Sequence, residues 1–190
     1  MGNRMTALVI NGDTSGSITL QVPAAAGSGT VHTLPAATGT VMVSGNMPAF
    51  SAYQSSNQTL TNATWTKIQY QTKEFDTANC FDNTTNYRFT PNVAGYYQIN
   101  GSIFSNWTGS QFSSYSLSIY KNGSQYKTTQ ILPSSSSVWY GNVTVQDIVF
   151  LNGSTDYIEI YQNVTTGSGT PVTGGGQSFT WVTGAMVRSA

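Results

Sequence analysis

Cysteine, charge and long apolar runs are all scarce in this chain of 190 residues. The single cysteine, Cys80, has no partner within the chain, which excludes a disulfide framework and a thiolate cluster around a metal. Only 7% of residues are charged, seven basic and seven acidic, and the formal net charge is zero. Nucleic acid is not expected as a partner. Phosphate binding needs clustered Lys and Arg, whereas Arg4, Lys67, Lys73, Arg88, Lys121, Lys127 and Arg188 are scattered. No apolar run approaches the length of a membrane span, so membrane insertion is not expected either. The opening MGNRMTALVINGD has its apolar patch at residues 7–10. That is too short for the apolar core of a signal peptide, and export through a cleaved leader is not expected.

Catalytic groups are equally sparse. The sole histidine, His32, is far in sequence from Cys80, and a nucleophile needs a base held beside it. Glycan hydrolysis would need two carboxylates flanking a cleft. Glu74 and Asp76 alternate along the chain and would share a strand face, and Asp156 and Glu159 form a second near pair; Asp82 and Asp147 are the remaining acids of this region. A depolymerase, however, presents a longer scaffold, so the chain reads as non-enzymatic with no catalytic residues. Asp76, Asn79, Asp82 and Asn83 supply oxygens of the kind calcium takes. They read more simply as a solvated loop, and neither a metal nor a cofactor is expected.

What the chain has is Ser, Thr, Asn, Gln and Gly on alternating apolar strands. Period-two patterning recurs and no segment sustains a helical period, so the whole chain reads as β. Residues 1–47 carry an apolar residue followed by Pro-Ala at Val22, Leu34 and Met47, with prolines twelve and thirteen residues apart. Residues 18–22, ITLQV, put Ile18, Leu20 and Val22 on one face, and residues 30–34 and 40–43 read as further short strands. Prolines at that spacing confine strands to edges and corners. So few strands bury little alone, and the small side chains allow close approach. Ile18, Leu20, Val22, Pro23, Leu34 and Pro35 are therefore expected to make anchoring or trimer contacts; a flexible linker is the alternative.

Residues 48–190 have aromatics at strand spacing, with strands expected at 49–54, 65–72, 86–90, 96–104, 115–120, 126–131, 138–145, 148–151, 157–162 and 179–187. Lys121-Asn-Gly-Ser124 reads as a tight hairpin turn and residues 151–155, LNGST, as another. Many short strands with Gly and Asn turns imply a β-sandwich or jelly roll.

Four segments appear in order: residues 47–53 MPAFSAY, 86–100 NYRFTPNVAGYYQIN, 117–123 LSIYKNG and 178–185 SFTWVTGA. Together they resemble the C1q/TNF-like domain over residues 48–190. The resemblance implies an all-β jelly-roll sandwich that forms a homotrimer, with Phe89, Tyr97 and Ile99 facing inward and Gly95 turning the chain between Pro91 and Tyr96. The glycine of Trp181-Val-Thr-Gly184 falls two residues later than in the simple Phe-x-Gly form, which leaves the last strand's register open. Residues 16–24, GSITLQVPA, and 33–41, TLPAATGTV, resemble the repeats that precede head domains in bacteriophage fibre and virion surface proteins. This second resemblance implies a capsid decoration or cement protein, or a short head fibre, on the virion surface after assembly in the host cytoplasm. Its partners would be phage capsid or tail proteins. The alternative is a tail-fibre receptor-binding protein that recognises a host surface glycan. Exposed rings beside amides suit sugar faces, and Trp107, Tyr115, Trp139 and Tyr140 are the candidate glycan contacts; core or trimer contacts are the equal alternative for these rings.

Overall fold

The computed structural model describes residues 7–11, 15–21, 31, 43, 45, 47–106, 112–133 and 138–190. The chain divides into two compact units, Met1–Gly39 and Thr40–Ala190. In the first, β1 (Ala7–Asn11) and β2 (Ser17–Gln21) pair antiparallel, with Leu8 opposite Leu20 and Ile10 opposite Ile18. The patch at residues 7–10 is therefore a strand, with Ile10 and Leu8 in register with the two apolar residues of β2. Val22, Pro23, Leu34, Pro35 and His32 lie outside the described residues. So do most of the strands expected at 30–34 and 40–43.

The second unit builds from β3 (Ala49–Tyr53), β4 (Gln58–Thr59), β5 (Thr66–Lys67), β6 (Thr72–Asp76), β7 (Phe81–Asp82), β8 (Arg88–Phe89), β9 (Ala94–Asn106), β10 (Phe112–Lys121), β11 (Ser124–Ile131), β12 (Tyr140–Asn152), β13 (Ile158–Thr166), β14 (Val172–Thr173) and β15 (Trp181–Ser189). They form two antiparallel sheets. One runs β4-β14-β9-β15-β3-β6 with β12 paired along β9, and the other runs β11-β10-β13-β8-β7 with β5 also on β13.

The apolar sides of both sheets meet in one core. Phe50 stacks on Phe81 at 4.7 Å and on Phe89 at 4.5 Å, and Tyr97 meets Phe89 edge-on at 5.4 Å. Phe50 and Tyr97 come from one sheet, Phe81 and Phe89 from the other, so this stack joins the layers. Phe89, Tyr97 and Ile99 are buried as the motifs imply. Burial pushes the Tyr97 phenol well above its usual range, and its hydroxyl donates to the Val93 carbonyl at 2.6 Å.

Several local expectations change. Residues 65–72 are not one strand: β5 ends at Lys67, β6 starts at Thr72, and Ile68 and Tyr70 between them are buried. The strands expected at 138–145 and 148–151 are one, β12, because Gln146 and Asp147 continue its alternation instead of breaking it. Asn122 and Gly123 both take positive φ, 53° and 77°, the geometry of a two-residue hairpin turn, and close the Lys121–Ser124 pair as expected. Residues 151–155 do not close a hairpin. They carry the chain from β12 in one sheet to β13 in the other. The Asn152 side-chain oxygen organises this crossing by accepting the N–H groups of Ser154, Thr155 and Asp156 at 3.0, 3.0 and 2.9 Å.

Gly95 is not a turn residue: it sits inside β9 opposite Leu151 and Ser189, where a side chain would run into the Arg188 carbonyl. The register of β15 is likewise settled by packing. Gly184 lies opposite both Phe50 and Ile99, and a Cβ there would stand 2.5 Å from Phe50 Cε1. The displaced glycine makes room for the central ring of the core. Gly153 has φ +72°, and a Cβ on it would meet the Ala94 nitrogen at 2.2 Å. Gly153→Ala therefore strains a left-handed residue against main chain that cannot yield. We expect it to cost about 2–4 kcal/mol of stability, read as a lower urea midpoint at unchanged slope.

Candidate functional site

Along β9 and β12, alternation sends Tyr97, Ile99, Ile103, Val143, Val145, Val149 and Leu151 into the core. The opposite side of the sheet is a broad open face. Its rows read Tyr96, Gln98, Asn100, Ser102 and Phe104 on β9, opposed in register by Phe150, Ile148, Gln146, Thr144 and Asn142 on β12. Not one of these ten is charged. Tyr96 and Phe150 touch at 5.5 Å while each is about two-fifths exposed, and Ile148 is half exposed. At the other end Phe104 lies 5.5 Å from Phe179 and 6.3 Å from Tyr140. Between the aromatic ends stand neutral amides, with Gln98 donating to Asn100 at 3.1 Å and Ser102 to Asn142 at 3.2 Å. A water-facing sheet face normally carries charge. The β9 and β12 rows carry rings, amides, hydroxyls and Ile148 instead, with cations among the described residues only at the Tyr96–Phe150 end, where Lys121 stands 5.8 Å from the centre of the Phe150 ring and Arg188 of β15 lies opposite Tyr96.

No protein-family model matches the sequence, and no curated protein matches it. Solved structures do match in fold. The TNF domain of Eiger from S. frugiperda superposes with a TM-score of 0.56 at 8% identity, covering 76% of this chain and 93% of that one. The globular domain of zebrafish complement 1qA gives 0.54 at 15% identity, covering 75% and 99%. Murine APRIL gives 0.54 at 8% identity, covering 74% and 99%. The larger unit is a TNF/C1q-type jelly roll.

Three of the four candidate glycan contacts lie among the described residues of this jelly roll. Trp107 lies outside the described residues. Tyr115 is a core residue, not a surface platform: its ring packs against Phe112 at 5.7 Å and over Gly141, where a Cβ would meet Tyr115 Cζ at 2.8 Å. Trp139 and Tyr140 are exposed at the start of β12, with Tyr140 near Phe104 at the aromatic end of the open face. Ile148, Phe150, Tyr96 and Phe179 escaped the sequence reading. The signal was present in IVFL, residues 148–151, since four consecutive apolar residues in a strand must coat both faces.

The acids of the jelly roll are committed to its architecture. Glu74 is held below the usual carboxylate range by hydrogen bonds from the Ser51 hydroxyl and the Gln177 amide. Burial opposes ionisation of Asp76, yet the N–H groups of Cys80 and Phe81 at 2.9 and 3.0 Å and Lys73 at 3.1 Å outweigh it, and its pKa is lowered. The two therefore do not act as a pair. Asp82 is depressed further by the N–H groups of Thr85 and Thr84 in its own turn. Asp156, Asp147 and Glu159 are ion-paired to Lys121, Lys127 and Lys67. Among the described residues no three His, Cys, Asp or Glu side chains converge as metal ligands would. Burial raises the Cys80 thiol, which lowers its thiolate fraction at neutral pH.

Depressed carboxylates give a definite pH dependence. A group whose folded pKa is lowered contributes stability above its unfolded pKa, near 4 for these groups, and loses it as pH falls through the folded value. The thermal midpoint should therefore hold above about pH 5 and fall steeply below about pH 4. Asp76→Asn should cost about 1–3 kcal/mol at pH 7, by orphaning buried N–H donors, and should shallow that acid limb. A midpoint series from pH 2 to pH 8 on both chains reads the slopes; parallel acid limbs would remove Asp76 from the account.

Proposed function

We propose that this chain is a non-enzymatic, homotrimeric surface protein of a bacteriophage virion, acting as a capsid decoration or cement protein or a short head fibre. The jelly roll projects and the N-terminal unit attaches. The observation that carries the trimer is the open face of rings and neutral amides. Three copies arranged about a threefold axis bury the uncharged β9 and β12 rows of such faces while Lys121 and Arg188 stay at the rim, and a rotation that closes leaves no fourth contact to propagate. Amides across the joint hydrogen-bond neutrally, while the Tyr96–Phe150 and Ile148 end supplies the apolar burial.

The virion reading rests on the N-terminal segment. Its repeated apolar-Pro-Ala units resemble those of phage fibre and virion surface proteins, and few charges are available there for a screened electrostatic attachment. Purified particles labelled with antibody against the head should show the protein on the capsid, and particles lacking it should lose genome at lower temperature while adsorbing normally. Loss of adsorption with intact capsid stability would instead favour the tail-fibre reading. Absence from purified particles would defeat both.

A further inference from the structure

At one edge of the jelly roll, the β6–β7 connection and the β7–β8 turn enclose an open polar groove of about 440 Å³. It is lined by Lys73, Asn79, Asn83, Asn86, Arg88 and Thr90, among others, and shares no residue with the open face described above. Its charges are unequally committed. Lys73 is neutralised by Asp76 at 3.1 Å and also reaches the Asn79 oxygen at 3.4 Å. Asp82, the cross-strand neighbour of Arg88, spends its carboxylate on Thr84, Thr85 and Asn86 of its own turn. Arg88 is therefore left with neither an acid nor a hydrogen-bond acceptor among the described residues. Its guanidinium is nonetheless fixed, lying 4.4 Å over the centre of the Tyr157 ring.

The neighbouring amides are fixed in a complementary sense. Asn83 donates its NH2 to the Gln71 carbonyl at 2.7 Å, and Asn86 donates its NH2 to Asp82 at 2.8 Å. Each side-chain oxygen is left as an acceptor with no donor among the described residues. A stacked guanidinium lining the same groove as two pinned acceptors matches one carboxylate flanked by hydroxyl groups. The guanidinium takes a carboxylate through two parallel N–H bonds, and the amide oxygens take sugar hydroxyls. Asp82 stays ionised in the same groove, so the one unpaired cation, Arg88, suits the single charge of a carboxylate over the greater charge of a phosphate. The walls are amides and hydroxyls, which suits a sugar over a peptide with apolar side chains.

We infer that this groove is a binding site for a carboxylate-bearing sugar, such as a uronic acid residue of an acidic polysaccharide, with Arg88 holding the carboxylate and Asn83 and Asn86 the hydroxyls. The site stands independently of the virion reading, since it uses neither the N-terminal unit nor the open face.

The test is calorimetric titration of the full chain with tri-galacturonate and with its methyl ester, which keeps every hydroxyl but removes the charge. Saturable binding in about the millimolar range is expected for the acid, with the ester and the Arg88→Gln chain each at least about tenfold weaker. Arg88→Lys, which keeps charge but loses the planar fork, should also weaken binding. Because the ester leaves the protein untouched, its result is independent of any folding defect in the variants. Equal affinity for acid and ester, no saturable binding by the native chain, or equal binding of an oligoglutamate peptide would each overturn the assignment.

Discussion

The Phe50→Ala chain is expected to lose about 3–5 kcal/mol of folding stability, enough to populate the unfolded state measurably at 37 °C in a domain of ordinary marginal stability. Phe50 is 1% exposed and makes both stacked contacts that tie β3 to β7 and β8, at 4.7 and 4.5 Å. Removing the ring forfeits its burial and leaves a cavity. That cavity cannot be closed by a neighbour shifting along the strand, because Gly184 opposite already lets the ring sit hard against β15. Aromatic stacking adds about 0.5–1.5 kcal/mol per pair beyond burial. Urea unfolding followed by near-ultraviolet circular dichroism reads the loss. A change under about 1 kcal/mol would mean that the stack does not hold the two sheets together.

Ile148→Arg should act on assembly and leave the fold alone. Ile148 is half exposed on the open face, opposite Gln98, so in an isolated protomer the arginine reaches water and costs little. In the proposed trimer the same substitution places an unpaired charge in each of three joints, at about 2–5 kcal/mol per joint. Light scattering coupled to size exclusion should then report the mass falling from three chains to one, with the far-ultraviolet spectrum unchanged. A native chain that scatters as a monomer would refute the trimer directly. A variant that remains a trimer would place the joint on another face.

How much was legible in the sequence depends on whether the interaction concerned is local. Alternation marked most strand cores, and Asn122-Gly123 announced its hairpin because both residues accept positive φ. The motif around Phe89, Tyr97 and Ile99 identified inward positions correctly. The LNGST connection misled because the same dipeptide serves any turn that needs a left-handed glycine, whether it joins neighbours or crosses between sheets. Gly95 misled, and Gly184 left the register of the last strand open, for a related reason. A glycine required by a facing strand looks identical in sequence to one required by a turn, and only the partner, Arg188 or Phe50, distinguishes them. Tyr115 stayed open in sequence between a surface ring and a core residue because its burial depends on Gly141, which lies on a strand of the other sheet.

The same division holds for the candidate sites. Composition alone determined that this protein works with few charges, without a disulfide within the chain, and through β-strands whose surfaces are amides and hydroxyls. Strand periodicity determined which residues alternate, and IVFL held the hint of a second apolar face. Tertiary structure decided which faces are open, which of the few charges are spent, and that Arg88 alone among the groove's cations keeps its donors free. Those outcomes depend on distances between residues remote in the chain. Pairing a carboxylate with a turn or an ammonium is a competition settled over a few ångströms, and a sequence specifies who competes but not who is near enough to win.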